Sequence, residues 1–240
     1  VLSSTYMGSS YESTFTTSTG DLSNLWSYLF KLVNQANIVI DGVNSAKNSG
    51  IITEEQCNSF EAEARFLRAL ALHEAMVFFA QPYKKTADAS HYGVPVVTVP
   101  CNTIDAVNEA LKSGRATAKE TYEQIVGDLN FAESHLPETR SGSMKISRAT
   151  KGAAIALKTR VYLHMADYEK VILEASKLVD AASEEHNAKI GNYKLTDNVA
   201  WPFLNNSDNS ESIFSIENTS TDNPTLDGAI GQLYYGRKDI

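Results

Sequence analysis

The spacing of apolar residues predicts that most of the chain forms amphipathic α-helices. After an irregular segment rich in serine and threonine (residues 1–20), apolar side chains recur every three or four positions, the period of one helix face. Gly42 and the polar stretch 44–50 are expected to end the first helix. Pro82 is expected to end the second, because proline cannot continue a helix. The predicted helices cover residues 21–46, 53–81, 117–136, 148–165 and 168–179.

The same periodicity predicts which side chains face the core, and local signals predict where helices begin. Thr53 with Gln56, and Thr117 with Glu120, have the spacing of a capping box. Asp167 is expected to cap the fifth helix. The inward face of the second helix is predicted as Phe60, Ala64, Leu67, Ala71, Ala75 and Phe78, and that of the fifth as Tyr168, Val171, Ile172, Ala175, Leu178 and Val179.

Little β-structure is expected. Residues 82–115 form a long connection in which 94–99 could be an edge strand, since Pro95 cannot donate to a central ladder. Residues 212–216 alternate polar and apolar side chains, as a half-buried strand does. The chain is therefore interpreted as one all-α domain, with a loop (1–20), helical hairpins (21–183) and a loop-rich region (184–240).

Residues 153–180 fit half of a tetratricopeptide unit, a repeat made of two antiparallel helices. Tyr162 is near the end of the first helix, Asp167 and Tyr168 form the turn, and Ala175 packs from the second helix. Val171 stands where the repeat usually has alanine. Small residues allow close helix approach, and each hairpin buries its face against the next, so stacked hairpins are expected.

Composition excludes several classes of protein. Lys plus Arg is 21 and Asp plus Glu is 29, a net charge of −8, which argues against a nucleic-acid-binding face. A hydrophobic content of 42% excludes a wholly disordered chain. No apolar run is long enough to span a membrane. Cys57 and Cys101 are expected to be unpaired.

No catalytic arrangement is recognisable. The five histidines (73, 91, 135, 164 and 186) share no metal-ligand spacing, and His73-Glu74 lacks a second histidine because position 77 is valine. Nucleophile elbows and phosphate-binding glycine loops are absent. We therefore expect no enzyme activity, no metal and no cofactor. Asp197 and Asp208 could ligate calcium, but they lack the spacing of a known calcium loop.

The carboxylates Glu61 and Glu63 lie beside Arg65 and Arg68 on the second helix. A catalytic pair needs one carboxyl group with a raised pKa, whereas interleaved arginines keep both charged. Ion pairs between helices are the favoured interpretation.

The remaining chemistry is that of aromatic and amide side chains in loops. Sugar rings stack their C–H faces on aromatic rings, and their hydroxyl groups bind to Asn, Asp and Arg. This recognition needs no activated group, but the composition alone is not specific for it.

Five stretches, taken together and in order, resemble the SusD/RagB family of nutrient-binding outer-membrane lipoproteins of Bacteroidetes. They are WSY and NQANIVI (26–40), EAEARFLRA and GVPVV (61–97), YEQIVGDL and LP (122–137), RATKGAA and RVYL (148–163), and YKL and ESIFSI (193–216). The resemblance implies an all-α tetratricopeptide fold whose irregular loops carry the binding site. Family members are longer, so the chain is expected to be incomplete at both ends.

The resemblance also implies a function. A family member would bind glycan without catalysis at the cell surface, anchored in the outer membrane by an N-terminal lipid that is not in this chain, and would deliver its ligand to a SusC-like TonB-dependent transporter. Peptide capture, as in RagB-like members, and a tetratricopeptide interaction scaffold without a small ligand remain as alternatives.

Binding residues vary within the family, so the site prediction rests on loop aromatics. Ligand contacts are expected from Tyr6 and Tyr11, and from Tyr234 and Tyr235. Trp201 is a further candidate, although packing against Pro202 and Phe203 is the favoured interpretation of its ring. The motif residues Asn37, Arg65, Arg68 and Arg148 are expected to hold the scaffold together.

Overall fold

The computed structural model describes residues 14, 16, 19–142, 144–180, 188–204 and 209–216. Within these ranges the chain forms helices and no β-strand, apart from isolated bridges between Tyr92 and Thr117 and between Val179 and Ala188. The all-α prediction is confirmed. The helices are α1 (Gly20–Asn48), α2 (Glu54–Phe79), α3 (Ile104–Lys112), α4 (Ala118–His135), α5 (Met144–Ser147), α6 (Lys151–His164), α7 (Tyr168–Leu178) and α8 (Trp201–Leu204), with a short 3₁₀ helix at Tyr83–Lys85.

Five long helices pack in the order α1, α2, α4, α6 and α7. The core follows this line and contains the fully buried side chains of Phe66, Leu72, Ile125 and Leu129. Alanines are concentrated where helices face each other: Ala62, Ala69 and Ala75 are almost completely buried on α2. These small side chains allow close helix approach, so the fold is a series of stacked hairpins.

The helix starts follow the predicted caps. The Thr53 hydroxyl accepts from the Gln56 backbone N–H while the Gln56 side chain accepts from the Thr53 N–H. Thr117 and Glu120 make the equivalent reciprocal pair at α4. At α7 the Asp167 carboxylate accepts from the Lys170 N–H. Each cap satisfies backbone donors that have no partner within the helix.

Several predicted boundaries are wrong. Helix α1 does end within the predicted polar stretch, at Asn48, but it is not interrupted at Gly42. A single glycine costs a helix only about 1 kcal/mol, and Asn44 bonds to Glu61 of α2. The helix predicted from residue 148 begins at Lys151, capped by Thr150. Helix α3 lies within the predicted loop 82–115 and exposes its apolar residues Ile104 and Leu111.

Neither predicted strand is present. Residues 94–99 form an irregular segment whose carbonyl groups at Val97 and Val99 bond to the Asn37 side chain on α1. Residues 212–216 are also irregular, although Ile213 and Phe214 pack against the core. Neither segment has a neighbouring strand to pair with among the residues that the structure describes.

The predicted inward faces are only partly correct. On α2 the alanines are buried, but Phe60 and Phe78 are exposed. On α7 the predicted inward residues Tyr168 and Ile172 are 63% and 70% exposed. Leu178 is buried as predicted, and Glu174 is the unpredicted inward residue, because it is the partner of a buried lysine on α6.

This buried lysine is Lys158, whose side chain is 1% exposed. Its ammonium donates to Glu174 Oε1 at 3.1 Å, to Asn130 Oδ1 at 3.2 Å and to Glu133. Burial raises the pKa of Glu133, but hydrogen bonds from Lys158 and Lys177 outweigh that effect and leave it below its usual value. Two lysines and two glutamates thus form a charge-balanced cluster of ion pairs between α4, α6 and α7.

Candidate functional site

The predicted ligand residues are described only in part. Tyr6, Tyr11, Tyr234 and Tyr235 lie outside the described residues. Trp201 is described: it begins the single-turn helix α8, and 47% of its surface is exposed. Its ring is not part of the hydrophobic core cluster. Of the predicted ligand residues, the described part of the chain therefore contains only Trp201, and the candidate site is the surface around α8 and the two segments packed beside it.

The segment preceding α8 is fixed to the helical frame by Tyr193. The Tyr193 hydroxyl lies 2.8 Å from Thr150 Oγ1, and burial raises its pKa. The ring lies against Gly152 on α6 so closely that a Cβ there would be 2.5 Å from Cε2. Gly191, with a φ of +77°, makes the preceding turn and also contacts this ring. Glycine is needed at both positions for Tyr193 to dock.

A second set of bonds joins residues 194–196 to residues 209–212. The Lys194 N–H donates to the Ser210 carbonyl at 2.9 Å. The Thr196 hydroxyl donates to Glu211 Oε2 at 2.9 Å. Asn209 Oδ1 accepts from the N–H groups of Glu211 and Ser212. Two irregular segments are thereby held side by side without a β-ladder.

Between these segments and α8 is an open cleft of about 320 Å³. Its lining is Leu195, Thr196, Val199, Pro202, Phe203, Glu211 and Ser212. Phe203 is 86% exposed, and Trp201 is two residues away. The cleft combines apolar surface with a carboxylate and hydroxyl groups. This combination can bind a molecule that has apolar faces and several hydroxyl groups.

The motif residues Arg68 and Asn37 form a buried network with Asp128. Arg68 donates from Nε to Asp128 Oδ2 at 2.8 Å and from Nη2 to Oδ1 at 2.7 Å, a two-bond arrangement. Its Nη1 donates to Asn37 Oδ1 at 2.7 Å. The Asn37 amide nitrogen then reaches the carbonyls of Val97 and Val99 at 2.9 and 3.1 Å. One chain of contacts thus links α4, α2, α1 and the 94–99 segment.

The other two motif arginines also bind carboxylates. Arg65 donates from Nε to Glu61 Oε1 at 2.7 Å, and Asn44 bonds to the other oxygen of Glu61. Arg148 donates from Nε and Nη2 to the two oxygens of Glu63 at 2.8 and 2.6 Å. Arg140 also donates to Glu63, at 2.7 Å. Both carboxylates considered for catalysis are therefore engaged by arginine.

Two histidines that are distant in the sequence lie in contact in the structure. His73 of α2 is fully buried, and its Nε2 lies 3.0 Å from Nδ1 of His164 at the end of α6. Burial, followed by the nearby charges of His164 and Arg160, lowers the pKa of His73 to about 3. Its Nδ1 has no hydrogen-bond partner. The two residues are 91 positions apart, so no local spacing could have indicated the pair.

The described residues contain no group of three or more His, Cys, Asp or Glu that could hold a metal ion. Asp208 lies outside them, so the calcium hypothesis is not tested. Cys57 is buried, Cys101 is partly exposed, and each has a free thiol. None of the helices in the described ranges combines the length and apolar character of a membrane span.

Sequence reasoning missed Asp128 and Phe203. Asp128 lies within the stretch 122–129 that resembles the family, and a lone acidic residue among the inward positions of a helix could have identified it as an ion-pair partner. Phe203 was considered only as a packing neighbour of Trp201. No sequence signal distinguishes an exposed phenylalanine from a buried one in an irregular segment.

Comparison with known proteins agrees with the fold and the motifs. Residues 1–163 match the sequence model of a SusD-like family described as starch-binding and associating with the outer membrane. A SusD-like protein of Formosa agariphila is 26% identical over 200 residues, which are 82% of this chain and 32% of that protein. The chain therefore spans about a third of that relative's length.

Solved structures give the same result. A SusD superfamily protein from Bacteroides fragilis superposes with a TM-score of 0.76 at 23% identity, covering 92% of this chain and 46% of the other. A laminarin-binding SusD-like protein superposes with a TM-score of 0.62 at 25% identity, covering 80% and 36%. The first likeness shows the fold. With the family match over more than half of its residues, this chain belongs to the SusD-like family.

Proposed function

We propose that the protein binds glycan through the surface around α8 and does not catalyse its cleavage. The observation that carries this proposal is the exposure of Phe203 in the cleft that Glu211 and Thr196 also line. Trp201, two residues earlier in α8, is 47% exposed. The family description as starch-binding and the laminarin-binding relative support the same ligand class. The expected loop contacts Tyr6, Tyr11, Tyr234 and Tyr235 belong to this proposal as further ligand residues.

The chemistry of the cleft suits a sugar chain. An aromatic ring offers an apolar face to the C–H groups of a pyranose, and burying that face removes it from water. The Glu211 carboxylate already accepts from Thr196, and its remaining lone pairs can accept from sugar hydroxyls. None of these contacts activates a water molecule or a nucleophile, so the arrangement favours binding over hydrolysis.

Delivery to a transporter is the second part of the proposal. We propose that the full-length protein is held at the outer surface of the outer membrane by a lipid and passes its glycan to a SusC-like TonB-dependent transporter. The support is the family description as associating with the outer membrane. Co-purification of the full-length protein with a TonB-dependent receptor would test this part.

Calorimetric titration of the full-length protein with soluble glycans, laminarin and starch among them, tests the binding part. Trp201→Ala is expected to weaken binding by about tenfold, because losing a stacking face costs about 1.4 kcal/mol. Tyr92→Ala is the matched control, since Tyr92 is 72% exposed on a different part of the surface. Its affinity should equal that of the unmodified protein.

Two results would contradict the proposal. One is the absence of binding across a broad glycan panel; the other is unchanged affinity in both Trp201→Ala and Phe203→Ala. If mixed oligopeptides raise the melting temperature and glycans do not, peptide capture replaces glycan capture. If neither ligand has an effect, the interaction-scaffold alternative is favoured.

A further inference from the structure

A second cavity lies at the turn between α6 and α7, at one end of the helical stack. Its volume is about 460 Å³, and its lining is Tyr83, Lys84, Met165, Ala166, Asp167, Tyr168, Glu169 and Lys170. None of these residues lines the cleft beside α8. The size is within the range of small-ligand sites.

The floor and the wall of this cavity are held in place by the core. The Tyr83 ring packs edge-on against the buried Tyr122 ring, with centroids 5.0 Å apart. Ala166 has a φ of +54°, a left-handed conformation that makes the tight turn into α7. Asp167 then caps α7 and holds Lys170 Nζ at 2.8 Å. Asp167 and Lys170 therefore hold each other in place before any ligand arrives.

The charges of the cavity balance. Lys84 and Lys170 are matched by Asp167 and Glu169. A charged ligand would be attracted by one of these pairs and repelled by the other. A hydroxyl group, in contrast, can accept from an ammonium and donate to a carboxylate at the same time. The lining therefore fits a neutral ligand with many hydroxyl groups.

Aromatic surface is present beside these polar groups. Tyr168 is 63% exposed at the first position of α7. The Lys84 ammonium lies 5.9 Å from the centre of the Tyr83 ring, and the Lys170 ammonium lies 5.2 Å from that of Tyr162. A saturated ring with an apolar face can stack on Tyr168 while its hydroxyl groups reach the charged side chains.

We propose that this cavity is a second carbohydrate-binding site, which takes one or two neutral sugar units of a chain. Tyr168 provides the stacking face, Lys84 donates to sugar oxygens, and Glu169 and Asp167 accept from sugar hydroxyls. The ligand class rests on the proposed function of the α8 surface. Two sites on one protein retain a long glycan more strongly than either site alone, because the second contact is intramolecular.

Hydroxyl-radical footprinting with mass spectrometry tests the site directly, because it reports protection residue by residue. We expect a neutral soluble polysaccharide to protect Tyr168 in the full-length protein, and to protect it also in the Trp201→Ala variant. Calorimetry should show that Tyr168→Ala weakens binding of the polysaccharide by about fivefold, while Tyr168→Phe retains it. Tyr28→Ala is the control, since Tyr28 is 65% exposed on α1.

The outcomes separate this inference from the proposed function. If glycan binds and Trp201→Ala weakens it, but Tyr168 is unprotected and Tyr168→Ala binds normally, only the second site is overturned. If no glycan binds at all, the proposed function and the second site fail together. Protection of Tyr168 by acidic glycans or oligopeptides, and not by neutral glycans, would also overturn the inference.

Discussion

Replacing Asp128 by asparagine is expected to lower the free energy of unfolding by about 3–5 kcal/mol, the usual cost of removing one partner of a buried ion pair. The Asp128 side chain is fully buried and that of Arg68 is 4% exposed. The variant leaves the Arg68 guanidinium buried without a compensating charge, and it also weakens the contact of Arg68 with Asn37 and hence with the 94–99 segment. Urea denaturation followed by circular dichroism measures the change.

Two further variants identify the cause of the loss. Glu109→Gln removes the surface pair with Lys112, whose side chains are 74% and 72% exposed, and should cost less than about 0.5 kcal/mol. The double variant Arg68→Met with Asp128→Leu should recover part of the stability lost in Asp128→Asn, because apolar side chains leave no charge to desolvate. If Asp128→Asn lowers the free energy of unfolding by less than about 1 kcal/mol, the buried network of Arg68, Asp128 and Asn37 does not stabilise the helical stack.

The second large effect is on the pH dependence of stability and comes from His73. In the folded state its pKa is about 3, against 6.5 for the free side chain. Between these values the unfolded chain binds a proton that the folded chain does not, so lowering the pH favours unfolding. The stabilisation is complete above pH 6.5 and is lost as the pH falls, at about 1.4 kcal/mol per unit.

From pH 6.5 to pH 5 this contribution amounts to a loss of about 2 kcal/mol. The groups facing His73 are His164 and Arg160 on α6 and Tyr122 on α4. His73→Gln removes the titrating ring and should flatten the stability curve in this range. His135→Gln, which replaces an exposed histidine at the end of α4, should leave the slope unchanged. Equal slopes in His73→Gln and the unmodified protein would contradict this assignment.

The sequence predicted well those features that depend on local interactions. Both capping boxes form as expected because all their contacts lie within four residues. Helix α3 was missed although Thr103 and the apolar positions Ile104, Val107 and Leu111 have helical spacing. Its nine residues are few for a periodic signal, and nearby prolines favoured a loop. Periodicity identifies a helix when several turns repeat the same face.

Features that depend on partners distant in sequence were predicted less well. The inward face of α7 was only partly right: Leu178 is buried as predicted, but Lys158 draws Glu174 into the interface. A pattern of apolar residues does not include buried charges. The strands predicted at 94–99 and 212–216 have suitable local composition, but their backbone groups bond elsewhere: Val97 to the Asn37 side chain, and Ser215 to the Ile146 carbonyl of α5. Exposure at α8, on which the proposed site depends, likewise follows from tertiary packing and not from composition.

Asn37 holds the 94–99 segment through the segment's backbone and not through its side chains. The Asn37 amide binds the main-chain carbonyls of Val97 and Val99, and every amino acid carries that group. Side chains along the segment can therefore be exchanged while its path stays the same, much as framework residues hold an antibody loop whose sequence varies. A single asparagine on a helix thus fixes the course of an irregular segment without limiting which side chains that segment carries.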